Sequence, residues 1–289
     1  MYKKLRVIPR IDIKNNNLVK GIQLEGLRVL GNPINFVNHY ILDGADEIFY
    51  QDIVASLYGR NSILELISNT AKICSIPLIV GGGVRNIEDI QAILNAGADK
   101  VAINSAAIKD SSFLKNAVRV FGSSTIIASV EIGKIDDEYV IQIYNGREII
   151  SKDLIDWIKE LQDIGVGEIN LTSISTEGTG KGYDLKILER LFDIIETQLT
   201  VHGGFGNIDQ IINLYKNFKV DGLVLSSMLH YNYIQKLENK TSTNNKYSDG
   251  NTEYLKNIKI PNSITPLNIE DLKSKLIISN IDVRKINDE

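Results

Sequence analysis

The chain lacks the residues that build covalent or metal-held frameworks: 289 residues include one cysteine, Cys74, and three histidines. A single cysteine excludes an internal disulfide and any cysteine-based metal cluster, fits a reducing compartment, and reads as a small buried hydrophobe. His39, His202 and His230 share no metal-binding spacing, and neither a Rossmann glycine fingerprint nor a Walker lysine occurs, so no metal and no cofactor are expected. No run of about 18 apolar residues exists, and MYKKLRVIPRID passes from a basic start into a strand pattern without a signal-peptide core. A soluble cytoplasmic protein without membrane contact is therefore expected. Blocks of like charge are also missing. Thirty-two basic against 36 acidic residues leave a net charge of −4, which suggests no nucleic-acid footprint and means that an anionic ligand must be held locally. Trp157 and the other aromatics fall mostly in helical patterns and read as packing.

What is present is alternation. Eight β-branched runs recur, Leu5–Asp12, Glu47–Ile53, Pro77–Val80, Lys100–Asn104, Thr125–Glu131, Glu168–Ser173, Gln198–His202 and Gly222–Ser226. Between them lie amphipathic stretches such as NIEDIQAILNAGA and DLIDWIKELQDIG, opened by Asn or Asp and several closed by Gly, as helix caps require. Eight β–α units in one chain of this length predict a single (β/α)8 TIM barrel spanning residues 1–289. The sequence also repeats itself: IPLIVGGGVRNIEDIQAIL from Ile76 reads onto TQLTVHGGFGNIDQIINLY from Thr197, 121 positions later, and GADEI from Gly44 matches GVGEI from Gly165 at the same offset. Two fused half-barrels explain a shared register. The polar segment 238–262, before a helix signal at Asn268–Ile278, reads as a surface insertion.

In such barrels the strand C-termini carry the chemistry. Asp12 and Glu131 end the first and fifth runs, which lie opposite one another, and an acid facing a base across a substrate suits multistep proton transfer. Gly81-Gly82-Gly83 and Gly203-Gly204 each precede a helix N-terminus able to bind an anion, and Asn104-Ser105 and Ser226-Ser227 end the neighbouring runs. Two such sites predict a small substrate with a phosphate at each end. Gly178-Thr179-Gly180 with Lys181-Gly182 adds a polar rim. The stretch NNNLVKGIQLEGLRVLGNP reads as a long loop, a lid bearing Lys20 as a cation for a phosphate or an acidic neighbour.

These residues resemble the cyclase subunit of imidazole glycerol phosphate synthase, the HisF family, across nearly the whole chain except the insertion. The most specific stretches are VIPRIDIKNNNLVKG, GADEIFYQDIVASLYGR, IPLIVGGGVRN, GADKVAINSAAIKD, GVGEINLTSISTEGTGKGYD and HGGFGN. The resemblance implies an enzyme of histidine biosynthesis in which ammonia from a separate glutaminase subunit reacts with a phosphoribulosyl aminoimidazole carboxamide ribotide. The products are imidazole glycerol phosphate and aminoimidazole carboxamide ribotide. It further implies that Arg6, Glu47, Lys100 and Glu168, at the N-terminal barrel face, gate the ammonia route. A salt-bridge ring plugging the barrel is the plainer reading of the same four charges. The glutaminase is expected on that face, with Asp99 and Lys100 among its contacts.

The chain departs from the family at the mouth. Glu131 stands where the family has aspartate, and Arg10 replaces a small residue and is expected to pair with Asp12 or Glu131 and depress a carboxylate pKa. Ser175, Thr176 and Glu177 replace an Asp-Arg-Asp run, and His202 replaces a small residue. Those changes leave two alternatives: a paralogue channelling ammonia to amidate a bacterial surface sugar, or a non-catalytic scaffold for a glutaminase.

Overall fold

Strands rich in Val, Ile and Leu at both parities must be covered on both faces, which is the condition of a parallel sheet wrapped by helices. In the computed structural model, which describes residues 4–55, 63–240 and 260–285, the strands of the first half are β1 (Arg6–Lys14), β2 (Asn17–Ile22), β3 (Glu25–Gly31), β4 (Ile48–Asp52), β5 (Leu78–Gly81) and β6 (Lys100–Ile103). The second half has β7 (Ile126–Ile135), β8 (Glu138–Ile143), β9 (Glu148–Ile150), β10 (Glu168–Ser173), β11 (Gln198–His202) and β12 (Gly222–Leu225). Eight of them, β1, β4, β5, β6, β7, β10, β11 and β12, pair in parallel in that order, and β12 closes on β1. The expected (β/α)8 barrel is the observed architecture. Caps fall where the sequence places them: the Asn86 side chain accepts from Asp89 N, Asn207 forms a capping box with Gln210, and Gly165 ends the helix Leu154–Ile164 in a left-handed conformation. No helix among the described residues is long and apolar enough to cross a membrane.

Two expectations are corrected. The stretch read as a long loop after β1 is the antiparallel hairpin β2–β3, and β7 continues into a matching hairpin, β8–β9. Consequently β1 and β7 run on past Asp12 and Glu131, to Lys14 and Ile135. The turns are made by residue pairs with positive φ, Asn15-Asn16 and Gln23-Leu24 in the first half, Asp136-Asp137 and Tyr144-Asn145 in the second. Each turn of the second half lies 121 positions after its counterpart in the first, so the repeat covers the hairpins as well. Of the polar segment 238–262, residues 241–259 lie outside the described residues, as does most of VASLYGR.

Side chains alternate across a strand, so the even-numbered residues of β1 and their counterparts face the barrel axis in layers. Ile8, Phe49, Ile79, Ala102, Ile127 and Val224 form an apolar plug there, separate from the larger core between sheet and helices. The base is braced by a recurrent aspartate. Asp46, Asp99 and Asp221 each accept from the first backbone amides of a neighbouring strand or its flank, Val7 at 2.7 Å, Leu78 at 2.8 Å and Leu199 at 2.8 Å.

A C-terminal segment then runs down the outside of the barrel. Ser263 Oγ donates to Thr179 O at the top (2.6 Å), Ile269 N to Asp43 lower down (2.7 Å), and Leu5 N to Asp282 O at the base (2.8 Å). Its anchor is Lys273, whose ammonium, 3% exposed, lies 2.7 Å from Asp46 Oδ1. Removing one partner of a buried pair leaves an uncompensated charge, so Lys273→Met is expected to cost about 3–5 kcal/mol, seen as a lower urea midpoint at unchanged slope. A loss below about 1 kcal/mol would show that docking of the helix Ile269–Ile278 does not depend on this pair.

Candidate active site

At the C-terminal mouth the inward positions above the apolar plug are polar and buried. Arg10 and Asp12, two residues apart on β1, form an ion pair with Nε 2.8 Å from Oδ1, both side chains almost wholly buried. Burial opposes the Arg10 charge, but Asp12, Glu177 and Glu131 more than offset it, so its pKa lies above the usual arginine range. Opposite, four strands around the barrel, Glu131 projects from β7. Burial drives its carboxyl pKa up to about 7. The Arg10 charge, a 3.3 Å bond from Gly146 N and the amides of Asn104 and Asn145 pull the other way without cancelling the desolvation. Arg10 thus pairs as the sequence suggests, yet the depression expected for a carboxylate does not prevail at Glu131.

Two hollows flank this centre. The first is lined by Gly82 and Gly83 after β5, Asn104 and Ser105 after β6, and by Arg10, Glu131 and Asn145. The second is lined by Gly203 and Gly204 after β11, Ser226 and Ser227 at the start of the helix Ser227–Lys240, and by Gly178, Glu177 and His202. Glycine is needed at Gly82 and Gly204: φ is 97° and 91°, and a Cβ would sit 2.1 Å from Asp52 O and from Gly182 O. Each proposed anion constellation therefore converges on one concavity.

Lys20 and Thr179 stand elsewhere. Lys20, on β2, is buried in an ion pair with Glu177, so it meets an acidic neighbour of the protein itself rather than an open anion site. The Thr179 hydroxyl donates to Thr176 O at 2.6 Å and its carbonyl accepts from Ser263, which turns it away from both hollows. The hairpin tips close the mouth. Gln23 binds the loop after β10 through its backbone amide to Glu177 O (2.9 Å) and its side chain to Ser175 O (2.8 Å). Across the mouth, the Asn145 side chain donates to Ile53 O after β4, and Tyr144 N to Ser105 Oγ at 3.3 Å. Tyr144, Asn145 and Gly146 are site residues that sequence reasoning missed. The Asp136-Asp137 pair between two alternating runs was the signal, since such pairs favour the positive φ of tight hairpins.

At the opposite end of the axis the four charges read from the sequence form a closed ring. Arg6 lies 2.9 Å from Glu47 and 3.0 Å from Glu168, and Lys100 2.9 Å from Glu47 and 3.6 Å from Glu168. The charges alternate in sign around it. Asp99 beside the ring accepts from Leu78 N at 2.8 Å, so part of its hydrogen-bonding capacity serves the fold.

A protein of Legionella pneumophila named imidazole glycerol phosphate synthase subunit HisF is 42% identical over 207 residues, spanning 71% of this chain and 98% of its own length. Proteins of the same name from Lactococcus lactis subsp. lactis and an Exiguobacterium strain are 41% and 37% identical, each over 78% of this chain and 88% of their own. The family model described as histidine biosynthesis protein matches residues 6–235, and the chain belongs to that family.

Proposed function

We propose that the chain is the synthase subunit of an ammonia-using complex of histidine biosynthesis, closing the imidazole ring of a bisphosphorylated ribotide at the C-terminal mouth. The observation that carries this reading is a buried carboxyl, Glu131, which lines the first of two glycine-walled hollows and whose pKa burial raises to about 7. A general acid–base group works best when its pKa lies near the working pH, because both protonation states are then available within one cycle. Glu131 takes and returns the protons of ring closure. Asp12, facing it, is the second carboxylate. Its bond to Arg10 fixes its orientation.

The hollow at Gly82, Gly83, Asn104 and Ser105 takes one phosphate of the substrate, and that at Gly203, Gly204, Ser226 and Ser227 the other. Lys20 braces the rim through Glu177 rather than touching phosphate. Ammonia enters from the other end, through the ring of Arg6, Glu47, Lys100 and Glu168, delivered by a glutaminase docked on that face with Lys100 and Asp99 at its contact. The ring excludes bulk water and protons from the axis, and opening it requires displacing only the Lys100 side, where one of the four contacts is already 3.6 Å long. The Arg10–Asp12 pair is also the observation that favours a second reading, an acceptor other than the ribotide. Turnover of the ribotide with ammonium salt decides between them.

Three outcomes test the assignment. Glu131→Gln is expected to lower ribotide turnover with ammonium salt by about 10²–10⁴-fold with the fold intact by circular dichroism. Near-parental turnover would remove Glu131 from the chemistry. The same variant has a stability signature. Between pH 4.5 and about 7 the folded parent keeps a proton that the unfolded chain releases, so stability falls as pH rises through that window, by on the order of 3 kcal/mol in all. Glu131→Gln escapes this loss and should gain on the parent across the window, whereas parallel curves would mean that the carboxyl is not shifted. For the ring, Lys100→Ala should abolish glutamine-dependent turnover while ammonium-dependent turnover survives. Equal loss of both would mark the ring as a structural plug.

A further inference from the structure

The two hollows share repeat-related glycines and a serine, Gly82, Gly83 and Ser105 against Gly203, Gly204 and Ser226, and differ in the strand residue before the glycines. By the 121-residue repeat, His202 corresponds to Gly81, where an added Cβ would fall 2.5 Å from Gln51 Oε1. A side chain in the first half would therefore have to displace the Gln51 amide, where the second half carries an imidazole. His202 is on the inward face of β11, 2% exposed, and lines the second hollow. Its Nδ1 lies 2.9 Å from Val224 O on the adjacent strand. A carbonyl can only accept, so Nδ1 carries the ring proton and Nε2 presents a lone pair. Nε2 is buried without a partner, and so is the hydroxyl of Ser226 in the same hollow. Protonating the ring to turn Nε2 into a donor is disfavoured: burial and the Arg10 charge lower the pKa to about 3, against the pull of Asp12 and the bond to Val224.

The surrounding charges point the same way. The cations whose field reaches His202 are Arg10 from β1 and Lys20 from β2, and each is already paired, with Asp12 and with Glu177. Glu177 itself lines the second hollow. A fully ionised phosphate placed there would meet an imidazole lone pair and a carboxylate. The first hollow, by contrast, offers the Arg10 guanidinium and the amide of Asn104.

We propose that His202 makes the second hollow selective for a ligand oxygen that carries a proton, accepting its hydrogen bond at Nε2 while Ser226 and the glycine backbone hold the rest of the group. This deepens the reading of that hollow as a phosphate site and rests on it. The proton has two possible sources, a singly protonated phosphate or a sugar hydroxyl next to it, and both present the same O–H to Nε2. Sulfate carries no proton near pH 5.5, whereas a phosphate monoester, with a second pKa of about 6, is still largely protonated there and inorganic phosphate, a weaker second acid, more so.

The test is crystallographic, on the unmutated full chain at about pH 5.5, soaked separately in sulfate, in phosphate and in glycerol, with the first hollow as internal reference. The expected result is sulfate in the first hollow only and phosphate in both, with a phosphate oxygen within hydrogen-bond distance of His202 Nε2. Glycerol donating a hydroxyl to Nε2 in the second hollow, with both anions confined to the first, would support the same selectivity with the sugar hydroxyl as its source. Sulfate occupying both hollows overturns the proposal. Anions in neither would instead count against the phosphate sites as a whole. His202→Asn, which supplies an amide donor, should admit sulfate to the second hollow, and continued exclusion in that variant would also overturn the role given to His202.

Discussion

Everything at either end of this barrel follows from strand parity. A closed parallel barrel turns alternate residues inward and leaves no strand edge, so one residue's position along β1 fixes the height of each of its neighbours on the axis. Arg6, Ile8, Arg10 and Asp12 are successive inward residues of a single strand, and they belong in turn to the charged ring, the apolar plug and the ion pair of the mouth. A one-residue slip would exchange all of these with Val7 and Ile11, which pack against the helices. The apolar plug separates the two polar ends along the axis. The ring's four charges are paired with one another, though one Arg6 terminal nitrogen and Glu47 Oε2 stay buried without a hydrogen-bond partner.

The repeat supplies the second constraint, because two half-barrels must be clasped as well as fused. Each half contributes a hairpin after its first strand, and each hairpin tip bonds to the loop after the second strand of the other half: Gln23 to Ser175 and Glu177, Asn145 to Ile53. The exchange is reciprocal, and it frames the mouth between two rigid tips. Because the second tip also brings Gly146 N to Glu131, the clasp that joins the halves shapes the environment of the carboxyl on which the chemistry is proposed to depend.

How much of this could be read from the sequence varied with the range of the interaction involved. Strand periodicity and Asn or Asp caps are local, so the eight strands and the starts of the helices Ile87–Asn95, Leu154–Ile164 and Ile208–Asn217 lie where the residues put them. The repeat register was legible too, and with it the pairing of Gly82 with Gly203 and of Ser105 with Ser226. The hairpins were not, because NNNLVKGIQLEGLRVLGNP is rich in Asn and Gly and its alternation is broken by bulges between β2 and β3. Thr179 was placed in the site by its neighbours, while its hydroxyl is held by a carbonyl three residues back, a purely local alternative that composition does not reveal. The C-terminal segment lies beyond the matched family region, and its docking on Thr179, Asp43, Asp46 and Leu5 ties it to the barrel.

The mouth holds two carboxylates in one field and gives them different surroundings. Asp12 and Glu131 share burial and share Arg10, yet the guanidinium is bonded to Asp12 and acts on Glu131 only through space. The pair neutralises itself and leaves Glu131 with the desolvation of a buried acid but without a full counter-charge, which is the condition that carries a carboxyl toward neutrality at physiological pH. An arginine at position 10 therefore need not mark a dead site. By taking Asp12 as its partner it leaves Glu131, across the barrel, as the carboxyl to which the proposed proton chemistry falls, and both Arg10 and Glu131 line the first hollow.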